Sequence, residues 1–261
     1  MVKKVVTHGG VGHADDFLAC CLMIVKYPDA IIVRSHDPTV EGDIYIDIGG
    51  KYDPPRFLDH HHDLNLPSSF VLVLRHFFDV ADEDLDYHDI RFYDLKDRFG
   101  LKKACEVLKI ASDVPPLVED LLLNIWSRVK EVRPGDVLHQ VMQELGKEFL
   151  EMLKRRKEGK KIVENAEKIR TEHGTVVFVD SPTVPIPLIK QVVPDVIGVV
   201  RPNSRNPSRH TDIVRVDDNP YFDPAGIAEG MPIVFRHATG FLVVAGLPFE
   251  QAKEVIKSKL L

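Results

Sequence analysis

DIYIDIGGKYDPPRFLDHHH, residues Asp43 to His62, is the stretch whose reading decides the fold. It opens with the apolar strand pattern Ile44-Tyr45-Ile46 and sets Asp47 at the strand's end, just before Gly49-Gly50. Asp59 comes next, followed at once by His60, His61 and His62. The carboxyl end of a buried parallel strand is where loops begin and clefts form, so a carboxylate there faces ligand space. Neighbouring imidazoles on an extended backbone point to opposite sides, so one ring can hold a metal while the next faces a substrate. Read alone, the run is equally a solvated His-rich loop with Asp59 as a turn residue.

The residues upstream add weight. Val2 to Thr7 is predicted as a strand ending at His8, followed by Gly9-Gly10-Val11-Gly12 and a helix from about Ala14 to Lys26 with Leu18, Leu22 and Val25 on one face. Ala30–Arg34 and Asp43–Asp47 are the next strands, and this alternation predicts a mostly parallel sheet with flanking helices. His8, His13 and Asp15 form H-x4-H-x-D across the glycine-rich turn, at the sheet edge where Asp47 and Asp59-His60-His61 are also expected. Oxygen and imidazole ligands without thiolate suit manganese, magnesium, iron or zinc, and several together suit two ions, with a carboxylate such as Asp47 as the bridge. Two such cations lower the pKa of water, polarise a phosphoryl oxygen and steady a leaving oxygen.

Downstream, helices are expected over Pro67–Asp79, Asp86–Arg98, Leu101–Ala111 and Pro116–Lys130, with Pro115-Pro116 as a first-turn signal. The second of these puts Asp94 and Asp97 three apart on one side. After the break at Arg133-Pro134-Gly135, a long helix runs from Asp136 towards Arg170. Its apolar spacing is Val137, Val141, Leu145, Phe149, Met152 and Leu153, and Gly159 is a candidate interruption. Strands are expected at Thr175–Asp180, Asp195–Arg201, Ile213–Val216, Ile233–Phe235 and Phe241–Val244, with helices at Val184–Val193 and Phe249–Leu260. The fold class is therefore α/β. A mostly parallel N-terminal metal-binding domain (1–133) is followed by a connecting helix (134–170) and a smaller α/β C-terminal domain (171–261).

Composition narrows the class. A chain of 261 residues with 44% hydrophobic and 28% charged residues has the balance of a globular protein rather than a disordered one. The three cysteines, Cys20, Cys21 and Cys105, contain no CxxC, which argues for packed, reduced thiols and against a thiolate zinc site. Neither a signal-peptide core nor a membrane-length apolar run occurs, so a cytoplasmic protein without membrane contact is expected. A net charge of −6 does not advertise nucleic-acid binding, although bound divalent cations would reverse the field in an acidic cleft. Basic residues gather between Lys154 and Lys161 and at Arg201, Arg205 and Arg209; on a helix the first group reads as a solvated face. The glycine-rich turn lacks the lysine and hydroxyl of a P-loop and does not match the dinucleotide fingerprint. No G-x-S-x-G elbow is present. Phe241 and Tyr221 are aromatics able to stack on a base, though strand aromatics are more often core.

H-x4-H-x-D, the IDIGG aspartate and DHH, in that order, resemble the DHH phosphoesterase superfamily. The chain is most similar to the melanocyte-proliferating-gene family of metal-dependent hydrolases. The similarity runs through THGGVGHADD, DIGGKYDPPRFLDHH, SSFVLVLRHF, the Asp94-x-x-Asp97 pair and FRHATGF. The resemblance implies that His8, His13 and Asp47 hold one metal, and that Asp15, Asp47, His60 and Asp94 hold a second, with Asp47 bridging. It implies that Asp59 orients His60, that His61 faces the scissile phosphate, and that His237 of the C-terminal domain binds a phosphate; Arg201 or Arg236 is a further candidate on chemistry alone. Four departures stand out: Asp16 where glutamate is expected, Arg98-Phe99-Gly100 after Asp97 in place of Asn-Gly, Phe70-Val71 after Ser68-Ser69 in place of Ala-Gly, and HATGF where RecJ-like proteins carry a glycine-rich motif.

What the resemblance implies is a divalent-metal-dependent phosphodiesterase working by a two-metal mechanism. Manganese is the first choice of ion and magnesium the second. The expected substrate is RNA or a short single strand, cut as by a 3'–5' exonuclease. Two alternatives stay open: a small-molecule nucleotide or pyrophosphate hydrolase, and a non-catalytic metal-binding regulatory protein. No protein partner is implied, and a homodimer is left open.

Overall fold

The computed structural model describes residues 2–110 and 117–260. The Pro115-Pro116 signal, the expected helix end at Ala111 and the expected helix start at Pro116 lie outside the described residues. In chain order the elements are β1 (Lys4–His8), α1 (Ala14–Lys26), β2 (Ile31–Ser35), β3 (Ile44–Ile46), β4 (Tyr52–Asp53) and β5 (Phe57–Leu58). Next come α2 (Ser69–Phe78), α3 (Asp82–Leu85), α4 (His88–Phe99), α5 (Leu101–Leu108), α6 (Leu117–Arg128), β6 (Glu131–Val132) and α7 (Val137–Asn165). The chain continues through β7 (Glu167–Thr171), β8 (Gly174–Phe178), α8 (Ile186–Val192), β9 (Val196–Pro202), β10 (Thr211–Arg215), α9 (Pro224–Ile227), β11 (Ile233–Arg236), β12 (Leu242–Ala245) and α10 (Phe249–Leu260). They form two compact units, Met1–Met152 and Leu153–Leu261, divided within α7. Among the described residues no helix is long and apolar enough to cross a membrane.

The first unit is built on a six-stranded sheet of order β4-β5-β3-β1-β2-β6. β5, β3, β1 and β2 run parallel, and the outer strands β4 and β6 are antiparallel. The carboxyl ends of β1, β3 and β5 therefore lie side by side, which brings His8, Asp47 and the Asp59–His61 run to one edge. α1 is apolar nearly all round, and its residues from Phe17 to Ile24 are buried apart from Leu18, as a helix packed between layers must be. α7 lies against it at Gly146, where a β-carbon would come within 2.6 Å of the Cys21 carbonyl oxygen. That close approach decides which face of α7 is covered. His139 and Met142 are buried, whereas Val137, Val141 and Leu145, the first half of the expected apolar stripe, are exposed; of its second half Leu153 is buried and Phe149 and Met152 are partly buried.

The second unit carries a six-stranded sheet of order β11-β12-β10-β9-β8-β7, antiparallel except for the β8–β9 pair. One face packs on α10 and α9 through Phe178, Ile213, Phe222, Val243, Phe249 and Ile256. α7 passes through Gly159 unbroken, and the glycine makes room for α8, since a β-carbon there would meet Leu188 Cδ2 at 2.9 Å. It stops at Asn165 rather than near Arg170; residues 167–171 alternate in burial and pair with β8 as a strand.

Candidate metal centre

Four stretches of sequence converge in the first unit. His8 ends β1, His13 precedes α1 and Asp15 sits in its first turn, Asp47 follows β3, and His60 follows β5. Asp47 is buried and held in the left-handed region at φ 57°, a conformation that L-residues adopt reluctantly and that clusters at functional turns. That turn aims its carboxylate at the histidines. Oδ2 lies 3.3 Å from His8 Nε2, and Oδ1 lies 3.5 Å from both His60 Nδ1 and His61 Nδ1.

The donor atoms fall into overlapping groups, each with its atoms within 4.8 Å of one another: His8, His13 and Asp47; Asp15, Asp47, His60 and Asp97; and Asp47, Asp59, His60 and His61. Asp47 belongs to all three. Among the buried polar atoms that make no hydrogen bond are His8 Nε2, Asp47 Oδ2 and Asp97 Oδ2. Buried polar atoms are ordinarily satisfied, so three orphans converging from three elements fit a cation held between them. Nitrogen and carboxylate oxygen donors without sulfur fit manganese, magnesium, iron or zinc.

Asp94 is not among these groups. Its Oδ1 accepts the Ser68 N–H at 2.7 Å and its Oδ2 accepts Arg98 Nη2 at 2.6 Å, so both oxygens are engaged away from the cluster. Asp97, three residues on, is the acid of the pair that meets the cluster, with Oδ2 at 3.0 Å from His60 Nε2 and Oδ1 at 3.7 Å from His13 Nδ1. The helical spacing showed that both acids share a side of α4; the partner of Asp94 was hidden because Arg98 follows it by one turn.

Asp59 does not orient His60. Its Oδ1 accepts the His61 N–H at 2.9 Å and faces His61 Nδ1 at 2.8 Å, and its Oδ2 accepts the Gly50 N–H at 2.6 Å. His60 Nδ1 instead meets Ser69 Oγ at 3.3 Å. The expected divergence of the two rings also fails. The chain turns at His60, where the Asp63 N–H bonds back to the His60 carbonyl, and the rings stack at 4.5 Å. Burial still separates them, with His60 buried and the His61 side chain 56% exposed.

Two residues organise the cluster: Ser69, whose role was missed, and Asp16, noted above only as a departure from an expected glutamate. Ser69 donates Oγ–H to Asp47 Oδ1 at 3.0 Å, and its N–H, with that of Phe70, binds the Asp15 carboxylate at 3.0 Å each. Asp15 thus sits at the N-terminus of α2, where free amides and the helix dipole favour an anion. Asp16, buried, accepts the His13 N–H at 2.7 Å and Trp126 Nε1–H at 2.6 Å, with Arg34 Nη2 at 3.5 Å. Gly12 permits this, since a β-carbon there would lie 2.4 Å from Trp126 Cδ1.

Charge is concentrated accordingly. Burial, then the charges of Asp97 and Asp47, push the Asp15 carboxyl well above its ordinary range. Burial and Asp97 likewise raise Asp47, against the opposing pull of His61, His8 and His60. Burial also opposes charge on Asp59, but hydrogen bonds from His61 and Gly50 outweigh it and hold this carboxyl below its usual value. Its hydrogen bond in turn lifts the His61 imidazole to about 9. At His8, burial opposes protonation, yet Asp16, the Gly9 carbonyl and Asp47 together raise its pKa.

His237 belongs to the second unit, just after β11; Nδ1 is 2.9 Å from Thr239 Oγ1 and the ring lies 4.4 Å from Phe241. Arg201 donates Nη1–H to the Val184 carbonyl at 2.6 Å, and Arg236 is exposed.

Residues 4–71 match the model of a family described as MYG1_exonuc: Uncharacterised protein family (UPF0160). The MYG1 protein C694.04c of Schizosaccharomyces pombe is 40% identical over 88 residues, 28% of this chain and 27% of that protein. The Homo sapiens protein named MYG1 exonuclease is 44% identical over 63 residues, 23% of this chain and 17% of its own length. The match thus spans well under half of either relative. The solved structure of the pGpG-specific phosphodiesterase PggH from Vibrio cholrae aligns over 99% of this chain and 97% of that one, at a TM-score of 0.36 and 12% identity, too remote to carry an argument.

Proposed function

We propose that this chain is a divalent-metal-dependent phosphodiesterase acting on nucleic acid, as a 3'–5' exonuclease on RNA or short single strands. The observation that carries the metal site is the trio of orphaned buried atoms on His8, Asp47 and Asp97, shared between two ligand groups that meet at Asp47. In support of the reaction stand the similarity to proteins named exonuclease and the absence of thiolate from the donor set. His8, His13 and Asp47 would hold one ion, and Asp15, Asp47, His60 and Asp97 the other, with Asp97 in the role first expected of Asp94. Such a pair of ions, manganese by preference, would supply water activation and polarisation of the phosphoryl group.

The chain's own residues do the rest. Ser69 fixes Asp47 and Asp15 through three hydrogen bonds together with Phe70, so the donors are preorganised. His61, with Nδ1 committed to Asp59, would present Nε2 to a phosphoryl oxygen. His237 in the second unit is the residue proposed to bind a phosphate of the substrate.

The deciding assay incubates wild type and Asp47→Ala with pyrophosphate, a dinucleotide and labelled single-stranded RNA, each with manganese. Shortening of the RNA from its 3' end by wild type alone supports the exonuclease. Turnover of pyrophosphate only replaces the nucleic-acid substrate by a small molecule. Full activity in Asp47→Ala overturns the mechanism.

A further inference from the structure

Within the first unit, a cavity of about 280 Å3 adjoins the cluster. Its lining includes the cluster residues His13, Asp15 and Asp97, and beyond them Tyr93, Lys96 and Leu123. Among the described residues of that lining, Lys96 is the only lysine or arginine. It follows Tyr93 by three residues on α4, and both reach Glu119 of α6: Lys96 Nζ–H donates to Oε1 at 2.8 Å and the Tyr93 hydroxyl donates to Oε2 at 3.1 Å. Glu119 thereby has an oxygen committed to each partner. An ammonium carries three N–H donors, and this bond uses one.

The two cluster carboxylates in the cavity would by themselves repel an anion. Cations bound at the cluster cancel that repulsion, and a phosphate group then still needs donors for oxygens that face away from the ions. We propose that Lys96 is a substrate-binding residue. Its ammonium donates to a non-bridging oxygen of a phosphate seated at the Asp15–Asp97 side of the cluster, and Glu119 is the positioning residue that holds it there. The inference rests on the phosphodiesterase reading for its substrate, though not for its anion. A purely structural brace between α4 and α6 is the competing account, but the lysine side chain is 34% exposed, where an ion pair adds little to stability.

The test uses the manganese-loaded full chain with Lys96→Gln, Lys96→Arg and Glu119→Gln. Calorimetry with adenosine monophosphate as the probe gives binding independent of turnover, and steady-state kinetics on a dinucleotide give KM and kcat. Lys96→Gln is expected to weaken probe binding and raise KM by roughly 10- to 100-fold, the range for a hydrogen bond to a charged group. kcat is expected to change far less, as for loss of uniform binding. Lys96→Arg should recover part of the affinity, and Glu119→Gln should lose less than Lys96→Gln. Unchanged probe affinity and KM in Lys96→Gln, with melting temperature lowered alike in Lys96→Gln and Glu119→Gln, would leave only the brace and overturn the proposal. A wild type that binds the probe through Lys96 yet cleaves no diester would keep the anion site and remove the hydrolase reading instead.

Discussion

Asp97 Oδ2 stands 3.0 Å from His60 Nε2, while Asp94, three residues earlier on α4, gives its own Oδ2 to Arg98 at 2.6 Å. Two acids on one side of a helix thus have different targets, one in the cluster and one in an ion pair that also holds the Ser68 amide at the start of α2. Asp97→Asn should strip bound metal and lower activity by more than about 100-fold, since partners one bond further from a metal already cost 10- to 100-fold. Asp94→Asn should retain metal and cost about 1–2 kcal/mol of stability, the worth of a charge-assisted hydrogen bond with part of the Coulomb gain removed. Metal content by elemental analysis, beside activity and urea unfolding, decides. A metal-free Asp94→Asn with a loaded Asp97→Asn would reverse the roles.

Divalent cation should stabilise the protein, and more so as pH rises. Asp15 and Asp47 have folded-state pKa values raised above the unfolded ones. For a carboxylate raised in this way, the metal-free fold keeps the benefit below the unfolded pKa and loses it as pH climbs through the folded pKa. A cation binds the deprotonated form and removes that penalty. At a free concentration about 100 times the dissociation constant the gain is about 2.7 kcal/mol, or roughly 5–10 °C in Tm for a chain of this size. Scanning calorimetry at pH 5.5 and pH 8 with and without manganese should show the larger shift at pH 8. Asp47→Asn should raise the metal-free Tm and abolish the shift; a wild type whose Tm ignores manganese at both values counts against the site.

The Asp59–His61 pair has its own signature. The 2.8 Å contact from Asp59 Oδ1 to His61 Nδ1 is the largest influence holding the imidazole near 9. Asp59→Asn removes that charge, and the imidazole should fall back towards 6.5 in metal-free protein, read by NMR titration of the histidine ring protons. An unmoved titration would show that the partner of His61 lies elsewhere.

How much of this was legible in the sequence depended on whether chemistry or packing decided the outcome. His8 and Asp47 were readable because each closes a short apolar strand, and parallel strands deliver their carboxyl ends to one edge; strand β5 before His60 was not foreseen, and His60 was legible only from the His run itself. Asp97 and Asp94 could not be ranked from spacing, because the choice is made by Arg98, whose side chain reaches back one turn. The stacking of His60 on His61 was invisible to a rule that assumes extended backbone, since the chain turns there. Strand β7 was absorbed into the expected long helix because GKKIVENAEKIR is rich in helix formers, and pairing with β8 overrides that preference. Only the first half of the expected apolar stripe of α7 lies on the wrong face, Phe149, Met152 and Leu153 being covered at least in part, and the reason is related. Val137, Val141 and Leu145 keep helical period as well as His139, Met142 and Gly146 do, and only the fit of Gly146 against the Cys21 carbonyl chooses between them.

Trp126, the single tryptophan of the chain, offers a built-in reporter of the site. It is fully buried, donates Nε1–H to Asp16 at 2.6 Å, carries the Arg34 guanidinium 4.6 Å above its ring and meets Phe17 edge-on at 5.5 Å. Asp16 in turn fixes the His13 amide and sits in the first turn of α1. Drawing His13 and Asp15 onto a cation should therefore perturb the indole, so manganese should change wild-type fluorescence while leaving that of Asp97→Asn nearly unchanged. Trp126→Phe leaves Asp16 Oδ2 short of a charge-assisted donor and should cost about 2–3 kcal/mol in urea unfolding followed by circular dichroism. Because it loosens the support of His13 rather than removing a ligand, manganese affinity should drop by about tenfold and not vanish. Unaltered affinity in Trp126→Phe would mean that Asp16 orders the turn at Gly12 without any bearing on how metal is held.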